Sequence, residues 1–376
     1  MGFLSTRGFC DMIRQSCCIR VFKEFSAHQS KHLRYIDTTR SLQGTIAPVK
    51  HRKGIGHCCS MQRENTHVSA TDVAAMIPSL TPDKYKGQSG KIAVVGGCQE
   101  YTGAPFFAAF SALKLGADLS HVFCAQGAAS VIKGYSPELI VHPYLNERSD
   151  IDDSRSSEEI KAQILEKVGA WASKFGCIVV GPGLGRDEFI MACVKEMMLL
   201  FRSLDVPLVI DADGLWIVNQ DPSIVKGCTR VVLTPNVVEF QRLANALGLD
   251  SKDPQCAENM SKVLQGPIIV RKGREDVIIG SNADMVGICQ EEGSPRRAGG
   301  QGDVLAGSIA TFIAWNTSTE NRDINISKIL FDACGSACFI VRRAACRAFA
   351  HRGRAMGATD LMHQLGPLAD DLKKEC

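Results

Sequence analysis

The sequence predicts an α/β fold in which a central, mostly parallel sheet carries helices on both faces. Three observations predict it. Short apolar runs alternate with helical patterns from about residue 61 onward. The runs are apolar throughout, as in strands buried on both faces. Several of them end in glycine-bearing loops, and in such sheets ligands bind beyond the carboxyl ends of the strands.

Taken in order, Ile92–Val95 is a strand that ends in Gly96-Gly97, and Ala104–Leu115, rich in Ala and Phe, is the helix after it. Leu119–Phe123, Cys177–Val180, Leu208–Ile210, Val231–Leu233, Ile268–Val270 and Val277–Ile279 read as buried strands. Between them Glu158–Trp171, Asp187–Leu200, Val237–Leu247 and Ala257–Leu264 have helical spacing, and two long helical patterns close the chain. Asn146–Ser157 is polar and charge-rich and reads as a solvated loop. No repeat, low-complexity stretch or second domain boundary is present. The organisation expected is a leader over residues 1–60 and one α/β domain over residues 61–376.

Composition excludes several classes. With 45% hydrophobic and 22% charged residues, the chain is neither disordered, collagenous nor coiled coil. No window approaches the roughly 18 to 20 apolar residues of a bilayer span, so no membrane role is expected. Aromatic residues, at 6%, are too few for a platform that stacks single-stranded nucleic acid. The net charge of +3 is unevenly spread: residues 1–60 hold ten Lys/Arg against Asp11, Glu24 and Asp37. A mildly acidic body behind a basic front is a poor nucleic-acid binder. That front is poor in acids, bears Arg and Ser and lacks a secretory apolar core, which is the composition of a mitochondrial or chloroplast transit peptide. A cytosolic form starting near Met61 is the alternative. The 16 cysteines are scattered without a Cys-x-x-Cys pair, pointing to buried thiols in a reducing compartment.

Four loops look chemical. Gly181-Pro182-Gly183-Leu184-Gly185-Arg186-Asp187 joins a buried strand to a helix, allowing close backbone approach to a ligand or simply a tight turn. Asp211-Ala212-Asp213-Gly214 puts two carboxylates at a strand end. They suit a hydrated Mg2+ or a substrate hydroxyl, with Asp213 read as the cap of a short helix starting near Leu215. Asn236 and Glu239 have capping-box spacing ahead of a helix whose free amides face the same rim. The fourth loop, Gly293 to Gly307, opens a long apolar helix running to about Trp315. Its glycine cluster exposes backbone amides as an anion hole, and Asp303 sits in the first turn. Anion hole and carboxylate together suit phosphoryl transfer from ATP to a hydroxyl, the aspartate taking the proton. The plainer alternative is an aspartate that complements the helix dipole. No Walker-A loop, Gly-x-Ser-x-Gly elbow or His-Glu-x-x-His helix is present.

Gly299-Gly300-Gln301-Gly302-Asp303 resembles the anion-hole and catalytic-aspartate motif of ribokinase-like kinases. The ordered set is narrower. Lys86-Gly87-Gln88, Val95 to Pro105, Tyr135-Ser136-Pro137-Glu138-Leu139, and the 181–187, 211–215, 234–240 and 293–303 loops resemble the ATP-dependent (S)-NAD(P)H-hydrate dehydratases. The pattern is most similar to plant members, and the resemblance runs from about Ala74 to the C-terminal helix. It implies a ribokinase-like fold and repair of hydrated NADH or NADPH by phosphorylation of the ring hydroxyl and loss of phosphate. It also implies a homo-oligomer and a functional link to an NAD(P)H-hydrate epimerase.

Position by position, the resemblance implies Asp303 as the base, with Gly299, Gly300 and Gly302 forming the anion hole. ATP would be held by Lys272, Gly273, Arg274, Glu275 and Asp276, and by Gly293, Ser294, Pro295, Arg296, Arg297, Ala298, Gly299, Gly300, Gln301 and Gly302. The hydrate would meet Gly185, Asn236, Val237, Val238, Glu239, Phe240, Gln241, Arg242 and Asp303. Mg2+ would bridge the ATP phosphates, with its protein ligands unassigned. Ala298 departs from the cysteine of many eukaryotic relatives, with little consequence where backbone does the work. Two rivals share these loops. A kinase for a small vitamin-like alcohol would release a stable phosphorylated product, and a nucleotide-binding regulator would not turn over at all.

Overall fold

The computed structural model describes residues 66–151, 154–317 and 325–375. The expected leader lies outside them. Ten strands form one sheet: β1 (Thr66–His67), β2 (Lys91–Val95), β3 (Leu119–Ala125), β4 (Ile140–Leu145), β5 (Cys177–Val180), β6 (Leu208–Ile210), β7 (Val231–Leu233), β8 (Ile268–Arg271), β9 (Asp276–Ile279) and β10 (Val286–Cys289). Their order is β1-β10-β9-β8-β7-β6-β5-β2-β3-β4, and β9 alone runs antiparallel to both neighbours. The four residues between β8 and β9 are too few for a parallel crossover, which needs a dozen or more, so a hairpin forms.

The helices are α1 (Ala70–Met76), α2 (Gly103–Leu115), α3 (Gln126–Tyr135), α4 (Ser157–Ala172), α5 (Glu188–Ser203), α6 (Asp213–Gln220), α7 (Val237–Ala246), α8 (Cys256–Leu264), α9 (Gln301–Thr317), α10 (Ile326–Arg352) and α11 (Ala358–Glu375). They cover both faces, as the apolar runs predict. Strand side chains alternate between two cores: Ile92 and Val94 join the core with α2, α9, α10 and α11, while Ala93 and Val95 join the one with α4 to α8. Helix α9 is the centre of the first core, buried from Val304 to Trp315. None of the described helices is long and apolar enough to cross a membrane. Every described cysteine is free, and only Cys346 is exposed.

The predicted strands and long helices are present, with ends shifted by a few residues. Five elements are not expected from the sequence, the short helix α1 among them. In β4, Pro143 and alternating polar residues mask a strand; its edge position tolerates the missing amide. Helix α3 carries Gly127 and Gly134, poor helix formers. Strands β1 and β10 are short. The Asn146–Ser157 stretch is partly anchored, with Glu147 accepting from the Gln99 amide at 2.8 Å and Asp187 from the Arg148 amide at 2.9 Å.

The chain order reverses between β2 and β5, which are neighbours in the sheet. Such a switch leaves a crevice at the carboxyl ends of the strands.

Candidate active site

Three consecutive strand ends build the floor. Asp211 follows β6, Thr234 follows β7 and Lys272 follows β8. Asp211 is 2% exposed, and its Oδ1 accepts from Lys272 Nζ at 2.7 Å and from Thr234 Oγ1 at 2.8 Å. Lys272 also lies 4.0 Å from Glu239 Oε2. Its backbone amide donates to the Pro235 carbonyl at 3.0 Å, fixing the hairpin to the start of α7. The Asn236–Glu239 capping box is present in both directions, with Asn236 Oδ1 accepting from two amides and Glu239 Oε2 accepting from the Asn236 amide at 2.8 Å.

The start of α9 sits on this floor. A Cβ built on Gly302 would lie 3.3 Å from Lys272 Nζ and 3.9 Å from an Asp211 oxygen. Val304 closes the first helical turn onto the Gly300 carbonyl at 2.9 Å. The preceding amides, of Gln301, Gly302 and Asp303, have no acceptor within the helix by construction. Gly300 takes φ +90°, and a Cβ there would lie 2.5 Å from the Phe107 ring, so both backbone and space require glycine.

A cavity of about 680 Å³ opens beside this turn. The 272–274 turn and Asp276 line it, facing Gly293, Ser294, Arg297, Ala298, Gln301 and Gly302; Asn236, Val237, Val238 and Arg342 are also in the lining. A neighbouring hollow of about 620 Å³ shares Val237 and the 272–274 turn and adds Phe240, Gln241, Arg271 and Glu275. Thus most residues expected around ATP come together. Pro295, Arg296, Gly299 and Gly300 lie outside the lining. Arg296 latches the loop instead, its Nε donating to the Met356 carbonyl at 3.1 Å. Arg242 is exposed on α7.

Two expectations need adjustment, the Asp213 cap and the place of Asp187. The cap of α6 is Ala212 at φ +47°, without a side-chain cap bond; Asp213 is already helical. Its carboxylate accepts from the Gly185 amide at 3.1 Å because the 181–187 loop folds over the start of α6. The Asp276 carboxylate is engaged by Arg342 Nε at 2.6 Å and by the Gly273 amide at 3.0 Å, so it shapes the turn. Asp187, expected inside its helix, is the cap of α5 and accepts from Phe189 and Ile190. Arg342 itself was not singled out from sequence. Its signal is spacing: Cys338, Arg342 and Ala345 fall on one helical stripe and all line the cavity.

Electrostatics single out Asp303. Burial and the nearby Asp211 charge push its carboxyl up to about 8, against the pull of Lys272. Burial also raises Glu239 and Asp213. Burial lowers the Lys272 ammonium, but the Asp211, Glu239 and Asp303 carboxylates outweigh it and its pKa is raised. Lys272 is therefore a fixed cation.

A glycine-rich helix start, a buried Asp211–Lys272 pair and the Asp303 carboxyl at the carboxyl ends of this sheet are the arrangement of a ribokinase-like fold. The fold matches a ribokinase-like superfamily protein from Enterococcus faecalis, with TM-score 0.65 and 21% identity over 82% of this chain and 96% of that one. It also matches the ADP/ATP-dependent NAD(P)H-hydrate dehydratase from Bacillus subtilis co-crystallised with ATP/Mg2+, with TM-score 0.57 and 20% identity over 83% and 98%.

A family model described as NAD(P)H-hydrate dehydratase matches residues 92–366, and the chain belongs to that family. ATP-dependent (S)-NAD(P)H-hydrate dehydratases are 44% identical in Vitis vinifera, over 86% of this chain and 91% of the relative, and 45% identical in Homo sapiens, over 78% and 81%. Plant and animal relatives thus match about equally.

Proposed function

We propose that this protein restores the S epimer of hydrated NADH or NADPH to the reduced nucleotide, consuming ATP and releasing ADP and phosphate. The observation that carries the reading is Asp303, half-buried in the first turn of α9, just after the glycine turn and within electrostatic reach of Lys272 and Asp211.

Hydroxide leaves poorly at neutral pH, so the ring hydroxyl must first become a better leaving group. Asp303 takes the hydroxyl proton as the oxygen attacks the terminal phosphorus of ATP, and the bond to ADP breaks. The amides of residues 301–303 and the Lys272 ammonium stabilise charge on the transferring group. The ring nitrogen lone pair then expels phosphate, and loss of a proton from the adjacent ring carbon restores the dihydronicotinamide.

The 680 Å³ cavity has room for ATP, whose phosphates we assign to the side of Gly302 and Lys272. Mg2+ enters as part of the ATP co-substrate. Among the described residues no group of three His, Cys, Asp or Glu side chains could hold an ion. That suits a cation whose shell is mostly phosphate oxygen and water. The hydrate is read against Gly185 and the start of α7. An epimerase that interconverts the two hydrates is the functional partner, and the basic, acid-poor residues 1–60 act as an organellar address.

The test is to supply the chain with Mg-ATP and the S-hydrate of NADH while following reduced-nicotinamide absorbance and ADP. The reading requires ATP-dependent growth of absorbance matched by ADP release. A stable phosphorylated product from a small alcohol, with no absorbance change from the hydrate, would contradict it.

A further inference from the structure

Asp211 is the most buried carboxylate at the site, and the steps above give it no part. We propose that Asp211 is a positioning residue: it holds the Lys272 ammonium beneath the first turn of α9, so that the lysine serves the transferring phosphoryl group and does not pair with Asp303. This rests on the reaction proposed above.

The geometry is a chain across three strand ends. Thr234, 1% exposed, donates to Asp211 Oδ1 and also reaches the Ile210 carbonyl at 3.3 Å, so the carboxylate is held from below. Its second donor is Lys272 Nζ at 2.7 Å, which ends 3.3 Å from the position a Gly302 Cβ would take. Lys272 is 17% exposed and has three acidic neighbours: Asp211, Glu239 at 4.0 Å, and Asp303 at longer range. Glu239 is already bound to the Asn236 amide. An untethered ammonium in this enclosure therefore moves toward Asp303. An ion-paired base holds its proton less tightly and accepts one from a hydroxyl less readily. The charged groups that set Asp303 are Asp211 from the β6 end, Lys272 from the β8 end and Glu239 from α7.

The experiment compares Asp211→Asn with the wild-type chain in kcat, in KM for ATP and in the pH profile. Expected are a kcat loss of about tenfold or more, a KM for ATP within about threefold, and an ascending pH limb shifted about one unit or more toward acid. If that variant folds poorly, Asp211→Asn/Lys272→Met removes both charges together. Measured against Lys272→Met alone, its limb should move toward acid by less than Asp211→Asn moves the wild-type limb, while kcat stays low. An equal shift in the two backgrounds would mean that Asp211 acts on Asp303 only through its own charge, and would overturn the proposal. An unshifted limb in folded Asp211→Asn, or wild-type kcat in the double variant, would overturn the proposal. Absence of ATP-dependent repair by the wild-type chain would refute the functional reading instead. The position of Lys272 is then read without turnover, from the pH at which Tm of the Asp303 and Asp303→Asn chains diverge, with and without Asp211→Asn. Divergence at the same pH in both backgrounds would sink it.

Discussion

The Arg342 guanidinium meets the Asp276 carboxylate at 2.6 Å, joining the middle of α10 to the hairpin that presents Lys272. The same guanidinium donates to the carbonyls of Gly273 and Arg274 at 2.9 and 2.8 Å. The turn that lines the 680 Å³ cavity is thus held from behind by a helix far away in sequence.

Arg342→Ala should leave Asp276, 6% exposed, without its counter-ion and free the 273–274 carbonyls. Breaking such a pair costs about 3–5 kcal/mol, so Tm falls by several degrees. KM for ATP should rise more than kcat falls, because the turn lines the cavity without carrying the base. Thermal unfolding and initial-rate kinetics check both; an unchanged KM would separate the turn from ATP.

Gly300→Ala places a methyl 2.5 Å from Phe107 in a backbone region that L side chains avoid. The strain, about 1–3 kcal/mol, should be relieved by shifting the start of α9, which misaligns its amides. Turnover should drop about a hundredfold while the fold is retained. Circular dichroism and kcat decide it. Gly299→Ala, where nothing lies within 4 Å, is the milder control.

Activity should climb as pH rises through about 8, because Asp303 must be deprotonated to accept the hydroxyl proton. Stability moves the other way. Between the unfolded value of about 3.9 and the folded value of about 8, the folded chain binds the extra proton. The stability this contributes is complete at low pH and is lost as pH rises through about 8. Asp303→Asn should therefore be more thermostable than wild type at pH 8 to 9 and equal to it near pH 4. Equal Tm values across the range would refute a raised Asp303.

The edge of the sheet carries a second titration. His121 Nδ1 lies 2.9 Å from His142 Nε2 within an aromatic enclosure that includes Phe123, Trp171 and Phe175. Burial lowers both imidazoles, His121 to about 4. The unfolded chain takes up protons near pH 6.5 and the folded chain does not, so this stability is present above 6.5 and lost as pH falls toward 4. Tm should drop over that window, and His121→Phe/His142→Phe should flatten the slope.

Much of the fold was legible because its strands are buried on both faces. Cys177–Val180, Leu208–Ile210 and Val231–Leu233 have nothing but apolar side chains, so pattern alone finds them. Ile140–Leu145 hides because an edge strand can hold a proline and polar residues. The glycine turn and Asp303 were visible for the same local reason: four glycines within ten residues exceed what a helix cap needs. The Asp211–Lys272 and Arg342–Asp276 pairs were not, since each joins residues more than sixty positions apart. Nothing local marks which carboxylate a distant lysine or arginine will meet. Asp213 shows the converse. Its spacing suits a cap, yet the folded 181–187 loop supplies the Gly185 amide, and the side chain turns there.

The most direct measurement pairs turnover with ATP binding in Asp303→Asn. The anion hole is backbone and Lys272 keeps its place on Asp211, so ATP affinity by calorimetry should stay within about threefold. ATP-dependent recovery of reduced nicotinamide from the S-hydrate should fall by about a thousandfold or more. Turnover that survives the substitution, or affinity lost in step with turnover, would contradict Asp303 as the base.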